Sequence, residues 1–94
     1  MYQEDIGKPY TQSIKEGIIN RVFADSIPND ELVWHKDENN RLVKIIKSDG
    51  WLFQRDNELP FELSNGDVIY IIKETWHRLI KGSGDLIIEI KEVY

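Results

Sequence analysis

Short runs of β-branched and aromatic residues, each ended by turn-forming residues, recur along the sequence and restrict it to a fold of short strands. The clearest turn signals are Asn65-Gly66-Asp67 and Gly82-Ser83-Gly84, because glycine adopts backbone conformations that tight turns require. Within a run, alternate side chains share a face, as Leu86, Ile88 and Ile90 do. The sequence therefore predicts an all-β fold, a small antiparallel barrel or sandwich. The predicted strands span residues 17–23, 31–36, 41–47, 51–55, 61–63, 68–72, 76–81 and 85–91.

Two stretches also carry the spacing of an amphipathic helix. Apolar or β-branched side chains recur within residues 14–23 and 72–80 at intervals close to the helical repeat. Gly17 lies inside the first stretch, and glycine is about 1 kcal/mol less favourable than alanine in a helix interior. The second stretch is rich in β-branched residues and is too short for a stable helix. Both are predicted to be mainly strand.

The composition limits the chemistry that the chain can support. Cysteine is absent, which excludes disulfides, zinc-thiolate sites and thiol catalysis. Any metal must therefore be held by nitrogen and oxygen ligands. The 94 residues are enough for one small domain, and 40% of them are hydrophobic, as in globular proteins. Because such a domain has a modest core, we expect a partner subunit, in a homodimer.

The charge and the hydropathy of the chain exclude two kinds of partner. The net charge is −5 and no run of basic residues occurs, so nucleic acid is not an expected partner. The first ten residues, MYQEDIGKPY, lack the apolar segment of a signal peptide. The longest apolar run, residues 68–72, is too short to span a bilayer. We therefore expect no membrane partner and a cytoplasmic location.

One of the two histidines ends a stretch with a distinctive spacing. Gly66 is followed by five residues and then by Ile72. One residue later comes Glu74, and after two more residues the stretch ends at His77. This spacing resembles the second motif of cupins, which reads Gly, five residues, Pro, one residue, Gly, two residues, His. Ile72 replaces the proline of the motif and Glu74 replaces its second glycine.

The other histidine begins a stretch that resembles the first cupin motif. That motif reads His, one residue, His, three or four residues, Glu, six residues, Gly. His35, Asp37, Arg41 and Ser48 follow the same spacing. Only His35 is retained, since the second histidine, the glutamate and the glycine are replaced by Asp37, Arg41 and Ser48.

The resemblance covers residues 31–92 and implies the fold of a small single-domain cupin. That fold is a cupin-like double-stranded β-helix, also described as a jelly-roll barrel. It implies that residues 1–94 form one domain, in which residues 31–92 build the barrel core. Residues 1–30 are then expected to add an N-terminal arm and the first strand.

The same resemblance implies a metal site made of His35, Asp37 and His77. Residues at i and i+2 of a strand point to one face, with Cα atoms about 6.6 to 6.8 Å apart, and a facing strand would add His77. Two histidines and one carboxylate form the facial triad of non-haem iron(II) sites. Iron, zinc, manganese or nickel, or no metal at all, are the alternatives that remain open.

Arg41 argues for a different ligand. Its charge offsets that of Asp37, and an ion pair between the two would weaken metal binding. A guanidinium that points inward suits a carboxylate or a phosphate. Arg41, Gln54 and Tyr70 are therefore predicted to bind a small polar or anionic ligand at the barrel mouth. The three tryptophans are expected in the core or in a dimer interface.

Three functions remain open, and no catalytic residue is assigned. The first is a cupin-like protein of unassigned activity that binds a small polar or anionic ligand, with or without a metal. The second is a metal-dependent enzyme of the isomerase or oxygenase type that uses His35, Asp37 and His77. Residues 85–88 lack the basic residue that 2-oxoglutarate oxygenases need for their cosubstrate, which disfavours that reaction. The third is an interaction module that acts as a homodimer.

Overall fold

The computed structural model describes residues 9–93, which form two antiparallel β-sheets. Residues 1–8, which belong to the predicted N-terminal arm, and residue 94 lie outside the described residues. A short 3-10 helix, Asn29–Glu31, is too short to cross a membrane, and residues 9–93 contain no longer helix. The strands are β1 (Thr11–Lys15), β2 (Ile18–Phe23), β3 (Asn40–Lys47), β4 (Leu52–Arg55), β5 (Phe61–Glu62), β6 (Val68–Ile71), β7 (His77–Ile80) and β8 (Leu86–Val93).

The five-stranded sheet has the order β1-β2-β8-β3-β6, and the three-stranded sheet has the order β5-β4-β7. Every described strand pair is antiparallel. The prediction of an all-β antiparallel fold is therefore confirmed. The stretch 14–23, whose spacing also suited a helix, is a hairpin that turns at Glu16 and Gly17, with φ of 53° and 81°. Positive φ at both central residues matches the twist of a tight hairpin, so glycine favours this turn over a helix.

The core follows from the alternation of side chains along the strands. On β8, Leu86, Ile88 and Ile90 are buried on one face of the sheet. Trp51 is fully buried, and its indole N–H donates a hydrogen bond of 3.1 Å to the carbonyl oxygen of Gly84, so its polar atom is satisfied. The buried hydrophobic residues form one cluster, which contains Phe23, Leu32, Val43, Ile45, Trp51, Phe53, Leu63, Ile69, Ile71, Leu86, Ile88 and Ile90.

Trp34 and Trp76 lie outside this core. They are 38% and 46% exposed, and a cationic side chain lies over each ring: Arg78 over Trp34 and Lys36 over Trp76. Of the three tryptophans expected in a core or an interface, only Trp51 is therefore a core residue. The homodimer stays a prediction.

The strand predicted over residues 31–36 is wrong. The amide of Glu31 donates to the carbonyl of Pro28, and the amide of Leu32 donates to that of Asn29, at 3.1 Å each. These bonds close the 3-10 turn and leave the two amides unable to join a sheet. Only His35 forms a β-bridge, with His77. The segment is therefore a connection across the molecule that touches the sheet at one residue.

Gly82 lies where its loop packs closely against the backbone of residues 49–51. A Cβ atom at this position would overlap the backbone of Asp49, Gly50 and Trp51, and the amide of Ser83 donates to the Asp49 carbonyl at 2.8 Å. Overlap with backbone cannot be relieved by a side-chain rotation, so we expect Gly82→Ala to lower the free energy of unfolding by about 3 kcal/mol. Urea denaturation measures the change. The neighbouring Ser83→Ala, at an exposed position, should have almost no effect, and equal stability of the two variants would contradict the proposed packing.

Candidate metal centre

The two histidines meet through their backbones. The amide of His35 donates to the carbonyl of His77 at 3.0 Å, and the amide of His77 donates back at 2.9 Å. Directly paired residues of antiparallel strands project their side chains to the same side. The two imidazole rings are accordingly 4.4 Å apart between centroids. The bridge thus joins the connection before β3 to the start of β7 and places both rings at one point.

Each imidazole is oriented by a hydrogen bond to a nearby carbonyl. Nδ1 of His77 lies 2.8 Å from the carbonyl oxygen of Thr75, and Nδ1 of His35 lies 3.1 Å from that of Val33. A carbonyl oxygen only accepts, so Nδ1 carries the proton in both rings. In the neutral rings Nε2 is then the nitrogen with a free lone pair. A hydrogen bond of this kind is how proteins orient a histidine that ligates a metal.

The carboxylate of Asp37 lies near the Nε2 atoms of both imidazoles. His77 Nε2 is 3.3 Å from Asp37 Oδ2, and His35 Nε2 is 4.0 Å from Asp37 Oδ1. One ligand atom from each of the three residues can be chosen so that all lie within 4.8 Å of one another. Oδ2 is buried, and among residues 9–93 no group donates a well-formed hydrogen bond to it. A buried carboxylate oxygen that faces an imidazole nitrogen without a donor is unfavourable, and a proton or a cation bound between the two groups would relieve that cost.

Arg41 occupies the other oxygen of Asp37. Its Nη1 is 3.3 Å from Asp37 Oδ1, so the ion pair expected from the sequence is present. Its Nη2 is 3.1 Å from Glu92 Oε2, which the sequence analysis missed. The shared guanidinium therefore holds two carboxylates, and Asp37, Arg41 and Glu92 together carry a net charge of −1 rather than zero. A net charge of −1 is more favourable to a bound cation than the net charge of zero that Asp37 and Arg41 alone would give.

Burial and neighbouring groups shift the pKa values of Asp37 and His35. Burial opposes ionisation of Asp37, but His77 and Arg41 outweigh it, so the pKa of the carboxyl lies below its ordinary value. Partial burial lowers the pKa of His35, partly offset by the Val33 carbonyl, and the effect is modest because the side chain is still 49% exposed. At neutral pH the arrangement therefore favours an ionised Asp37 and a neutral His35, which are the forms that ligate metals.

The cluster borders a narrow cavity of about 60 Å³ between the two sheets. This volume has room for about two water molecules. Apart from the cluster residues and two arginines, its lining is apolar. It consists of Arg21, Phe23, His35, Asp37, Arg41, Val43, Ile45, Phe53, Leu63, Ile69, Ile71, His77, Leu79, Ile88 and Ile90. A ligand larger than a few atoms must therefore lie outside this cavity.

Gln54 and Tyr70 do not line the cavity, although the sequence analysis grouped them with Arg41. Tyr70 is 43% exposed because the neighbouring Ile69 and Ile71 take the inward positions of β6. The amide of Gln54 donates to the carbonyl of Glu58 and accepts from Arg78. The structure brings Arg41 to His35, Asp37 and His77, but it places Gln54 and Tyr70 elsewhere. A ligand-binding role for these two residues stays a prediction without support from their position.

Two charged residues near the cluster were not identified from the sequence. Glu92 faces Arg41 because the two residues are register partners of β8 and β3, which lie far apart in the chain. Arg21 lines the cavity on β2, on the same side as Phe23. Arg21 did carry a signal, since a charged residue alternates there with the apolar Ile19 and Phe23 on one strand face.

The backbone is left-handed at Gly66 and Glu74, two positions of the stretch that resembles the second cupin motif. Gly66 has φ of 91°, and Glu74, which replaces the second glycine, has φ of 61°. Both values lie in the left-handed region that favours glycine. The amide of Glu74 donates to the carbonyl of Asp37 at 2.8 Å, which fixes this turn against the cluster of His35, Asp37 and His77.

Solved structures with the cupin fold are similar to this chain. A cupin domain (bp2299) from Bordetella pertussis Tohama I has a TM-score of 0.62 at 16% identity, over 93% of this chain and 97% of that chain. A cupin-like protein (tm1010) from Thermotoga maritima MSB8 has a TM-score of 0.65 at 15% identity, over 87% of this chain and 65% of that chain. The chain therefore has a cupin-like fold.

The structure of a substrate-bound iron(II) protein is also similar to this chain. FeII HppE in complex with its substrate has a TM-score of 0.64 at 12% identity, over 89% of this chain and 52% of that chain. The chain thus spans about half the length of that protein. No family model matches the sequence, and no curated protein matches it significantly.

The left-handed turn at position 74 predicts a stabilising substitution. Glu74→Gly removes the strain of a side chain at positive φ, whereas Glu74→Ala keeps it, and both lose the exposed ion pair with Lys36. We expect Glu74→Gly to be more stable than Glu74→Ala by about 1 kcal/mol. Thermal and urea denaturation of the pair measure the difference. If alanine proved the more stable residue, position 74 would not adopt a left-handed conformation.

The lowered pKa of His35 predicts a pH-dependent stability. As the pH falls below the ordinary value of 6.5, the unfolded chain takes up a proton that the folded chain resists. The free energy of unfolding should therefore decrease from pH 7 to pH 5. Urea denaturation of the metal-free protein measures this slope, and His35→Asn should make it shallower. An identical slope in the variant would show that the environment of His35 does not disfavour its charged form.

Proposed function

We propose that this chain binds a divalent transition metal through Nε2 of His35, Oδ2 of Asp37 and Nε2 of His77, and that a small polar or anionic ligand binds beside it. The observation that carries the proposal is the convergence of these groups around one buried carboxylate oxygen. Both rings already have their second nitrogen bonded to a carbonyl, so the ligand atoms need no reorientation.

The donor set selects the class of metal. Two imidazoles and one carboxylate suit iron(II), zinc, manganese or nickel, whereas calcium and magnesium prefer sites made of oxygen. Three protein ligands leave coordination positions for water or for another ligand, and a bound metal would polarise whatever occupied them. The iron(II) of the structurally similar FeII HppE supports a metal on this fold, although the proposal rests on the residues of this chain.

Arg41 is proposed to position Asp37 rather than to bind the metal. It stands where the first cupin motif has a glutamate, and it holds Oδ1 of Asp37 at 3.3 Å. Oδ2 is then directed toward the imidazoles. Because Glu92 shares the guanidinium, the positive charge of Arg41 is balanced, and repulsion of a metal cation is reduced.

Metal titration of the untagged protein tests the proposal. After the native metal has been removed with a chelator and the chelator by desalting, iron(II) (without oxygen), manganese, nickel and zinc are titrated by calorimetry. We expect one metal per chain, and at least about 100-fold weaker binding in Asp37→Asn and His77→Gln, since even outer-shell changes lower affinity about 10- to 100-fold.

Asp30→Asn is the matched control, because it removes one exposed carboxylate outside the cluster. Its metal affinity should equal that of the wild type. Circular dichroism confirms that each variant is folded. Absence of saturable binding for all four metals, or equal affinity in Asp37→Asn and Asp30→Asn, would contradict the metal centre.

A further inference from the structure

A second, wider cavity opens beside the metal centre. Its volume is about 450 Å³, within the usual range of small-molecule sites, and we call it the outer cleft. Its walls are mainly apolar and include Tyr10, Phe23, Leu32, Val33 and Leu79. Its shape therefore suits an apolar group larger than the narrow cavity admits.

The outer cleft and the narrow cavity meet at shared residues. Arg21, Phe23, His35 and Leu79 line both. A ligand whose apolar body lies in the outer cleft would therefore place its polar end between Arg21 and His35. This end would then be next to the metal centre.

Arg21 is a cation without an acidic partner in the described part of the chain. Its Nε donates to Gln12 Oε1 at 2.9 Å, and its guanidinium carbon lies 3.8 Å from the centroid of the Tyr10 ring. No carboxylate of residues 9–93 lies within ion-pair distance of it. The two carboxylates whose charges act on it, Asp37 and Glu92, both form ion pairs with Arg41.

The surroundings of Arg21 favour the arrival of an anion. The Arg21 guanidinium is partly buried, and this desolvation lowers its pKa, so a nearby anion would stabilise its charge. Gln12 accepts a hydrogen bond from Nε of Arg21, and the Tyr10 ring lies against the face of the guanidinium. These two contacts fix the plane of the guanidinium without engaging its terminal nitrogens. The terminal nitrogens remain for a carboxylate, which the planar guanidinium binds well.

We propose that the outer cleft binds a small monocarboxylic acid with an apolar body, whose carboxylate pairs with Arg21 and whose body packs between Tyr10, Leu32 and Leu79. The inference rests on the proposed ligand binding and names its chemical class, while it does not require the metal. A monoanion is favoured over a phosphate dianion because Glu31 also lines the cleft and the chain carries a net charge of −5.

The test uses hexanoate and benzoate as probes, with hexanol, benzyl alcohol and inorganic phosphate for comparison. Each is titrated into the metal-free, isotopically labelled protein, and backbone amide shifts are recorded by NMR. We expect both acids to shift the amides of Tyr10, Arg21, Leu32, Val33 and Leu79 in a saturable way. The alcohols and phosphate should bind at least about tenfold more weakly, because they lack either the charge or the apolar body.

Arg21→Met removes the charge and keeps most of the side-chain volume, so it should weaken acid binding by about tenfold or more. Arg78→Met is a close control. Arg78 also donates through Nε to a glutamine, Gln54, at 2.9 Å and lies over an aromatic ring, Trp34, but it does not line the outer cleft. Acid binding by Arg78→Met should match the wild type.

A second pair of variants keeps the test valid if Arg21→Met does not fold. Val33 is 60% exposed on the cleft wall, so substitutions there should preserve the fold. Val33→Asp adds a negative charge near the carboxylate and should weaken binding more than Val33→Asn. Equal binding of acids and alcohols, no saturable shift with either acid, or unchanged affinity in both Arg21→Met and Val33→Asp would overturn the inference.

Metal binding and acid binding are measured independently, so each can be absent without the other. A chain that binds metal but neither acid would overturn only the ligand inference. A chain that binds the acids at Arg21 but no metal would overturn only the metal centre. Strong phosphate binding at the same amides would overturn the choice of a monocarboxylic acid.

Discussion

The paired hydrogen bonds between His35 and His77 are the contact on which the site depends. The segment that carries His35 belongs to no sheet, and this bridge attaches it to β7. The bond from the amide of Glu74 to the carbonyl of Asp37 adds a second attachment two residues later. These three hydrogen bonds set the positions of His35 and Asp37 relative to His77.

Local features around this contact are unfavourable by themselves. Oδ2 of Asp37 is buried without a well-formed hydrogen bond from residues 9–93, and such a group costs about 1 to 3 kcal/mol. Glu74 holds a left-handed conformation that suits glycine better. The Asp37–Arg41–Glu92 ion pairs must offset the desolvation of their own charges. Unfavourable features of this kind persist in functional sites because the surrounding structure fixes them and a ligand can relieve them.

The two cavities differ in the residues that form their walls. The narrow cavity is lined mostly by the core residues that stabilise the sheets, so it cannot widen without loss of packing. The outer cleft lies between the start of the described chain, the connection before β3 and β7, and much of its wall comes from loops. Loops tolerate sequence changes that a core does not, so the wall of the outer cleft can vary more readily than the residues around the His35–Asp37–His77 cluster. Arg21 belongs to a strand but reaches both spaces.

The local sequence determined much of the strand content. Alternation along β8 identified the inward Leu86, Ile88 and Ile90, and the turn at Gly66 was recognised from its residues. The same alternation would have placed Tyr70 outside, between Ile69 and Ile71, and would have singled out Arg21. Residues 31–36 were misread because their composition suits a strand, whereas the amides of Glu31 and Leu32 are used within a turn.

By itself, the sequence determined the positions of β2 to β8 and which of their residues share a face, but it did not predict β1 and wrongly predicted a strand over residues 31–36. Through motif spacing, it also indicated that His35, Asp37 and His77 belong together. Only the tertiary structure decided that Glu92 faces Arg41, that Arg21 joins the cavity to the outer cleft, and that Gln54 lies apart. The physical reason is that side-chain alternation is a local property of a strand. The strand that lies opposite is chosen by register and sheet packing, which depend on residues far apart in the chain.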